Sequence, residues 1–438
     1  MEHKRRREVV ATGLPLEGIR VLDHGIILAG TGATTMLADM GAEVIRVESI
    51  NVLPPFGTRG MTARPPKGVR TPGYVDNEPG DRPWDRCTSL HSLQRNKYGI
   101  TLNLKDPRGQ AIYKRIAMIS DAVVDNYAPG TMDRMGIGYS ALKEVNPGII
   151  MVSASALGAE GPYKGYGGVG ASVDAISGMM ALRGYPGDDM LIRSTHVWPD
   201  NIAISTIPFA LLVALYHRKK TGEGQFIDFS QSEAFLPHMG ESIMDYTMNK
   251  RVPQAMGNRD SAMAPHGCYR CQGDDRWVTI AVSSDEQWQA LCHAMGDPVW
   301  AKEENFNNSL SRWENQDELN KLIEEWTISR DAFEVMHLLQ GVGIAAGPVA
   351  RASEMYGDPH LKERGFFVEI THREAGTHLY PGWCFQFSKT PATVRIPPNC
   401  LGEHNEYILG EILGMSKEEI APLEEDKVIG DAFLPEIR

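Results

Sequence analysis

Near its start the chain reads as strand, turn, helix and second strand, and this order restricts the fold more than any other feature. Gly18-Ile-Arg-Val-Leu-Asp23 has the apolar, β-branched content of a buried strand; a glycine-containing turn follows, and a helix is predicted through Thr34-Thr-Met-Leu-Ala-Asp-Met40. Gly41 closes that helix, and Ala42-Glu-Val-Ile-Arg-Val-Glu48 resumes as a strand ending in a carboxylate. Such a β-α-β unit is the usual crossover between parallel strands, and ligands are expected at the strands' carboxyl ends. Gly30-Thr-Gly32 at the first turn and Glu48 at the end of the second strand match part of a dinucleotide-binding fingerprint. Thr35 stands where the third glycine belongs, and that glycine is what permits close helix-to-strand packing. A nicotinamide-dependent oxidoreductase is therefore kept only as the weaker alternative.

The alternation runs on. Residues 98–104 read as a strand, 107–119 as a helix, 122–126 as a strand, 132–145 as a helix, and 148–154 and 225–229 as further strands. Strands alternating with helices imply an α/β fold with a mostly parallel, helix-covered sheet. From about Asn51 to Arg95 the chain is rich in Pro, Gly and Arg, which predicts a long surface excursion that could act as a lid. Beyond 229 the pattern changes: 268–282 reads as a hairpin around Gly273-Asp-Asp275, and amphipathic helices are predicted at about 286–295, 316–327 and 330–340. Short strands return from Gly365, with a last helix from about Glu403. The chain divides into a flexible tail (1–14), a large Rossmann-like domain (15–230) completed by about 366–438, a linker (231–265) and a smaller α+β domain (266–365).

Charge excludes some classes of function. The 56 Asp and Glu outnumber the 44 Lys and Arg, so no general affinity for nucleic acid or an anionic membrane is expected, and a polyanionic ligand needs a local cluster of cations. The basic N-terminus lacks the apolar stretch of a secretory signal. The longest apolar run, Ile202 to Tyr216, contains Ser205, Thr206 and Pro208, and no membrane span is predicted. Six scattered cysteines make no disulfide framework and fit a reducing cytoplasm. Cys268-Tyr-Arg-Cys271 runs into a strand, where residues three apart face opposite sides, and no second pair stands at metal-ligand spacing, so no metal is expected.

Asp200 is the carboxylate with the most suggestive setting. It lies in Trp198-Pro-Asp-Asn201, at the lip of an apolar helix, where unpaired backbone N–H groups hold a carboxylate ionised and able to act as a nucleophile. By position alone the helix N-cap is the first reading, since Asp is a favoured cap.

Several segments bring a family into view. Pro15 to Asp23, Met36 to Glu48, Arg95-Asn-Lys97 with Leu102 to Pro107, Asp125-Asn-Tyr-Ala-Pro-Gly130, Met135-Gly-Ile-Gly-Tyr139, Thr221-Gly-Glu-Gly-Gln225, Gly347-Pro-Val349 and Leu401-Gly-Glu-His404 resemble, in family order, the class III CoA-transferases, the formyl-CoA transferase and carnitine CoA-transferase family. Counting back from Thr221 without a gap makes Asp200 the nucleophile that the resemblance implies. It would attack an acyl-CoA thioester, with acyl-aspartyl and aspartyl-CoA intermediates, and CoA as substrate. The resemblance further implies that Asn126 and Tyr127 line the nucleotide side, that Arg134 and Met135 hold the CoA moiety, and that Leu102 gives an apolar contact. Arg46, Arg95 and Lys97 are further cationic candidates, and Arg193 and His196 are candidates for steering an acceptor carboxylate. Family members form intertwined dimers, which the Pro/Gly-rich stretches could serve.

Departures narrow the reading. Val169-Gly170 stands where the racemase branch carries part of its His-Asp pair, so two-base proton exchange is not expected. Gly257-Asn-Arg-Asp260 occupies the region of the glycine-rich loop of formyl-CoA transferases, so formate and oxalate are poor substrate guesses. The leading expectation is transfer of CoA from a donor such as succinyl-CoA to a carboxylic acid such as an aromatic or substituted dicarboxylic acid. The alternative is a non-catalytic or CoA-binding partner subunit of a heteromeric transferase.

Overall fold

The computed structural model describes residues 13–53, 59, 73–189 and 198–437. These form two units. The large one takes the described residues up to Ser177, those from Trp198 to Ile243 and those from Arg364 on; the small one takes Gly178 to Asp189 and Met244 to Glu363. Part of the expected linker, up to Ile243, thus belongs to the large unit, and the small unit is wider than 266–365.

Six strands build the large unit: β1 (Arg20–His24), β2 (Glu43–Glu48), β3 (Lys97–Thr101), β4 (Ala122–Asp125), β5 (Ile150–Ser155) and β6 (Phe226–Ser230). Their order is β3-β2-β1-β4-β5-β6, and every pairing is parallel. The sheet direction of growth reverses between β1 and β4, which is where a ligand crevice opens in such sheets. Alternate residues feed two cores. Leu22, Ile45, Val123 and Met151 face one side, packing with Ile112 and Ile116 of α2 (Pro107–Met118). Val21, Val44, Val124 and Val152 face the other, beneath α1 (Ala29–Asp39) and a long helix described below.

The expected helix 132–145 is two helices, α3 (Thr131–Arg134) and α4 (Tyr139–Val145). Gly136 at φ 73 and Gly138 separate them. A β-carbon at Gly138 would strike the Asp133 carboxylate.

α5 (Trp198–Thr221) is the longest helix described and is apolar on nearly all sides. By length and composition it could cross a membrane. Ala203, Ile207, Leu211 and Ala214 are buried in the core it shares with α1, however, as expected of a core helix. Gly32 permits this contact, since a β-carbon there would lie 2.7 Å from Ile204.

Residues 73–95 depart from the expected surface excursion. Trp84, Cys87 and Leu90 are buried, and Asp85 accepts hydrogen bonds from Arg59, Arg82 and the Leu401 amide. Burying Asp85 requires that set of donors, and it ties the segment to the large unit. The C-terminal residues also serve this unit. His404 and Asn405 bond the backbone of β3, covering an edge strand that would otherwise present free N–H and C=O groups. The hairpin β10 (Phe367–His372) with β11 (Gly376–Pro381) and the helix α9 (Lys417–Glu425) complete it.

The small unit is α+β. Its sheet runs β7 (His266–Arg270), β8 (Trp277–Ala281) and β9 (Ala345–Pro348), all antiparallel. Helices α6 (Asp285–Ala294), α7 (Gln316–Thr327) and α8 (Ala332–Gln340) cover one face around Trp288, Leu319, Ile323 and Leu339.

Candidate active site

The turn after β1, at the reversal point of the sheet, is held by three side chains. Asn126, just past β4, accepts from the Ile26 amide at 2.5 Å and donates to the Ile26 carbonyl at 2.9 Å. Arg46 of β2 donates to Asp23 at 3.0 Å and also to the Gly25 carbonyl. Asp23 in turn accepts from the Gly25 amide at 2.9 Å. Ile27 within this turn has φ 58, a strained position for a β-branched residue, and it persists because the neighbouring residues are fixed on both sides. The glycines of the partial fingerprint serve packing instead: a β-carbon at Gly30 would press on Asn126, and Gly32 makes room for Ile204.

The cations singled out in the sequence divide sharply by what they touch. Lys97 is fully buried and donates to Asp23 at 2.9 Å, to the Thr31 carbonyl at 2.7 Å and to Thr34 at 3.0 Å, which uses all three of its N–H groups. Arg95 grips Asp39 through two nitrogens, donates to the Pro381 carbonyl at 2.5 Å and packs over Trp383. Both side chains are thus fully engaged in structural contacts, as is Leu102, whose side chain lies in the hydrophobic core. Arg46 is buried too; among the described residues its Nε makes no hydrogen bond but lies 3.9 Å from a Glu48 carboxylate oxygen. Arg134, at the end of α3, is exposed, and among the described residues its one hydrogen bond is donated to Thr131 at 2.8 Å. Met135 is half-buried against the core, and Tyr127 stands edge-on to His24. Arg193 and His196 lie outside the described residues.

Asp200 sits in the first turn of α5 and is 7% exposed. Among the described residues it makes no hydrogen bond or ion pair, and burial pushes its carboxyl up to about 6. The expectation that helix N–H groups hold it strongly ionised is thus replaced by a desolvated carboxylate, still mostly ionised at neutral pH. A desolvated carboxylate to which no described residue donates keeps its lone pairs available for attack on a carbonyl carbon.

Sequence reasoning missed a buried polar group beside the crevice. His24 and Asp125 are register partners on β1 and β4, and Tyr113 of α2 packs against His24 at 5.5 Å. Burial pushes Asp125 up to about 7, although the Tyr127 amide and Ser153 hydroxyl bond its Oδ1. Its Oδ2, His24 Nδ1 and the Tyr113 hydroxyl have no hydrogen-bond partner among the described residues. The only sequence signal was their place at strand ends and on the inner face of a helix.

Comparison with known proteins agrees with this architecture. The description "CoA-transferase family III" matches residues 16–405. Succinyl-CoA–D-citramalate CoA-transferase of Chloroflexus aurantiacus is 32% identical over 95% of this chain and 98% of its own length. The beta subunit of succinyl-CoA–L-malate CoA-transferase from the same organism is 31% identical over 95% and 99%. A crystal structure of a CAIB/BAIF family protein from Brucella suis superposes with a TM-score of 0.78 at 27% identity, covering 91% of this chain and 99% of that one. The protein is an enzyme that uses CoA esters and carboxylic acids as substrates, and the chain belongs to CoA-transferase family III.

Proposed function

We propose that Asp200 is the nucleophile of a transferase that moves CoA from succinyl-CoA to a second carboxylic acid. One Asp200 oxygen adds to the thioester carbonyl, and expulsion of CoA thiolate leaves an acyl-aspartyl anhydride. The thiolate then attacks the aspartyl carbonyl, releasing the donor as a free carboxylate and leaving an aspartyl-CoA thioester. The acceptor carboxylate attacks that thioester and expels thiolate again. Attack of the thiolate on the acceptor's acyl carbon forms the new CoA ester and regenerates the Asp200 carboxylate, so no atom or electron is left over. Arg46, Asn126, Tyr127, Arg134 and Met135 are the CoA-side residues in this reading, with Arg134 facing a phosphate because most of its donors are free.

The single observation that carries the proposal is the desolvated Asp200 carboxylate, which has no partner among the described residues. A buried carboxylate kept for structure would be bonded, as Asp23 and Asp85 are. The choice of succinyl-CoA rests on the names of the two Chloroflexus relatives. Hydroxylamine added during turnover is expected to derivatise the peptide carrying Asp200; a modification found elsewhere, or on no peptide, would defeat the assignment.

A second reading has its own support. Both an alpha and a beta subunit of succinyl-CoA–L-malate CoA-transferase are 31% identical to this chain, so a heteromer with a paralogous subunit is a competing assembly. Self-association is the first choice. The outward face of α5 carries Phe209, Leu212, Val213 and Tyr216, all exposed at helical spacing, an apolar surface suited to a second copy in the intertwined dimer of the family. Purified alone, the chain is expected to run as a dimer and to turn over succinyl-CoA with an acceptor acid. Activity only after a paralogue is added would favour the heteromer.

A further inference from the structure

The small unit holds a cavity lined by none of the residues assigned above to the transfer. It has a volume of ≈480 Å³ and lies between β7, α7 and two loops, at Tyr185-Pro186 and Met256 to Arg259. A second cavity of ≈560 Å³ shares Asn258, Arg259, His266 and Gly267 with it. Both volumes fall in the range of small-molecule sites.

The two loops are fastened together. Gly257 donates its amide to the Gly184 carbonyl at 2.9 Å, and Asn258 Nδ2 donates to the Tyr185 hydroxyl at 2.8 Å. Gly257 has φ 66, and a β-carbon there would strike the Tyr185 ring at 2.5 Å, so the close seating of that ring requires glycine. His266 Nδ1 bonds the Asn258 carbonyl at 2.7 Å, which leaves Nε2 turned to other partners. The segment Gly257 to Asp260 is thus a fixed wall of the cavity.

The lining pairs an apolar side with an excess of donors. Tyr185, Pro186, Met256 and Tyr269 supply the first. Lys321 supplies the clearest of the second: its ammonium makes no hydrogen bond or ion pair among the described residues. Arg259 pairs with Asp317, but that carboxylate is 80% exposed, and so solvated a pair is weak enough for a ligand to replace. Asn320 accepts from Tyr269 at 2.8 Å and keeps its amide hydrogens available. Against these stands Glu324, one oxygen of which is bound to the Arg270 amide at 3.3 Å.

We propose that this cavity binds an organic carboxylate with an apolar body, its carboxylate on Lys321 and Arg259 and its body against Tyr185 and Met256. The proposal does not depend on Asp200 or on transfer, so binding is measured on the whole protein with no CoA ester present. Titration calorimetry with 3-phenylpropanoate is expected to give saturable binding that weakens roughly tenfold in Lys321→Ala and in Arg259→Ala, the effect of losing one charge-assisted contact. Asp200→Ala is expected to bind it unchanged. Succinate, without the apolar body, and 3-phenylpropan-1-ol, without the charge, are expected to bind more weakly. No saturable binding, or binding indifferent to both cation variants, overturns the proposal. Equal affinity for succinate overturns the role given to Tyr185 and Met256. Both cations lie at the protein surface, and the thermal midpoint of each variant checks that it is folded.

Discussion

Asp23 and Asp200 are both buried aspartates of the large unit, and they differ in every other respect. Asp23 ends β1 with Lys97, Arg46 and the Gly25 amide on its oxygens. Burial alone would push its proton affinity up, but the Lys97 and Arg46 charges hold it down at about 2. Asp200 is less completely buried, but among the described residues no charge or hydrogen bond offsets its desolvation, so it stands at about 6. Burial therefore says little about role. The count of partners does, because a folded chain seldom leaves a buried charge uncompensated unless the chemistry uses it.

The sharpest way to break this contrast is to neutralise each side in turn. Asp200→Asn is expected to lower turnover by roughly a thousandfold or more, since no other group takes over the covalent step. Its thermal midpoint is expected to hold or rise, because the substitution removes a desolvated charge. Turnover near the parent level would remove Asp200 from the mechanism. Lys97→Met is expected to do the reverse to stability, costing about 3–5 kcal/mol by leaving Asp23 short of a counter-charge in the interior. Urea denaturation reads that loss directly, and an unchanged midpoint would mean that the Asp23 network is not structural.

Two pH effects of smaller size sharpen the comparison. Asp200 must be ionised to attack, so kcat/KM is expected to fall as pH drops through about 6 and to level off above it. A profile flat down to pH 4 would place the nucleophile in a paired, low-affinity setting like that of Asp23. Asp125 acts on stability. Its folded carboxyl titrates at about 7 against 3.8 unfolded, so the folded state holds the proton more tightly. The stability this lends is full below the unfolded value and is lost as pH climbs through about 7. Asp125→Asn is expected to flatten that decline, which chemical denaturation at pH 5 and pH 8 measures as a smaller difference than in the parent protein.

What was legible in the sequence is what local pattern encodes. The β-α-β start, the hairpin around Gly273 and helix α7 follow from period and punctuation over a few residues, and they stand where those signals put them. Asp200 is singled out through its distance from the Thr221 turn in the family resemblance. Its desolvation could not be read there, because that depends on which helices cover it. Lys97 was misjudged for the same kind of reason: its partner Asp23 lies 74 residues away, and a cation's partner at that separation leaves no local trace. The segment 73–95 has the composition of a surface loop, yet buried Tyr74, Trp84, Cys87, Leu90 and Leu93 and the multiply bonded Asp85 anchor it.

Arg134 provides the smallest test, and the one most closely tied to the contrast among the cations. It shares its charge with Lys97 but not its surroundings, since it is exposed and among the described residues bonds Thr131 alone. Arg134→Ala is accordingly expected to leave the denaturation midpoint in place and to raise KM for the CoA ester by roughly three- to tenfold, with kcat little changed. An exposed cation meeting a phosphate is screened by salt, so the difference between parent and variant should shrink as ionic strength rises from low values to about 0.5 M. If KM is unaffected at low salt, the donors of Arg134 face only water, and the phosphates must be met by other cations.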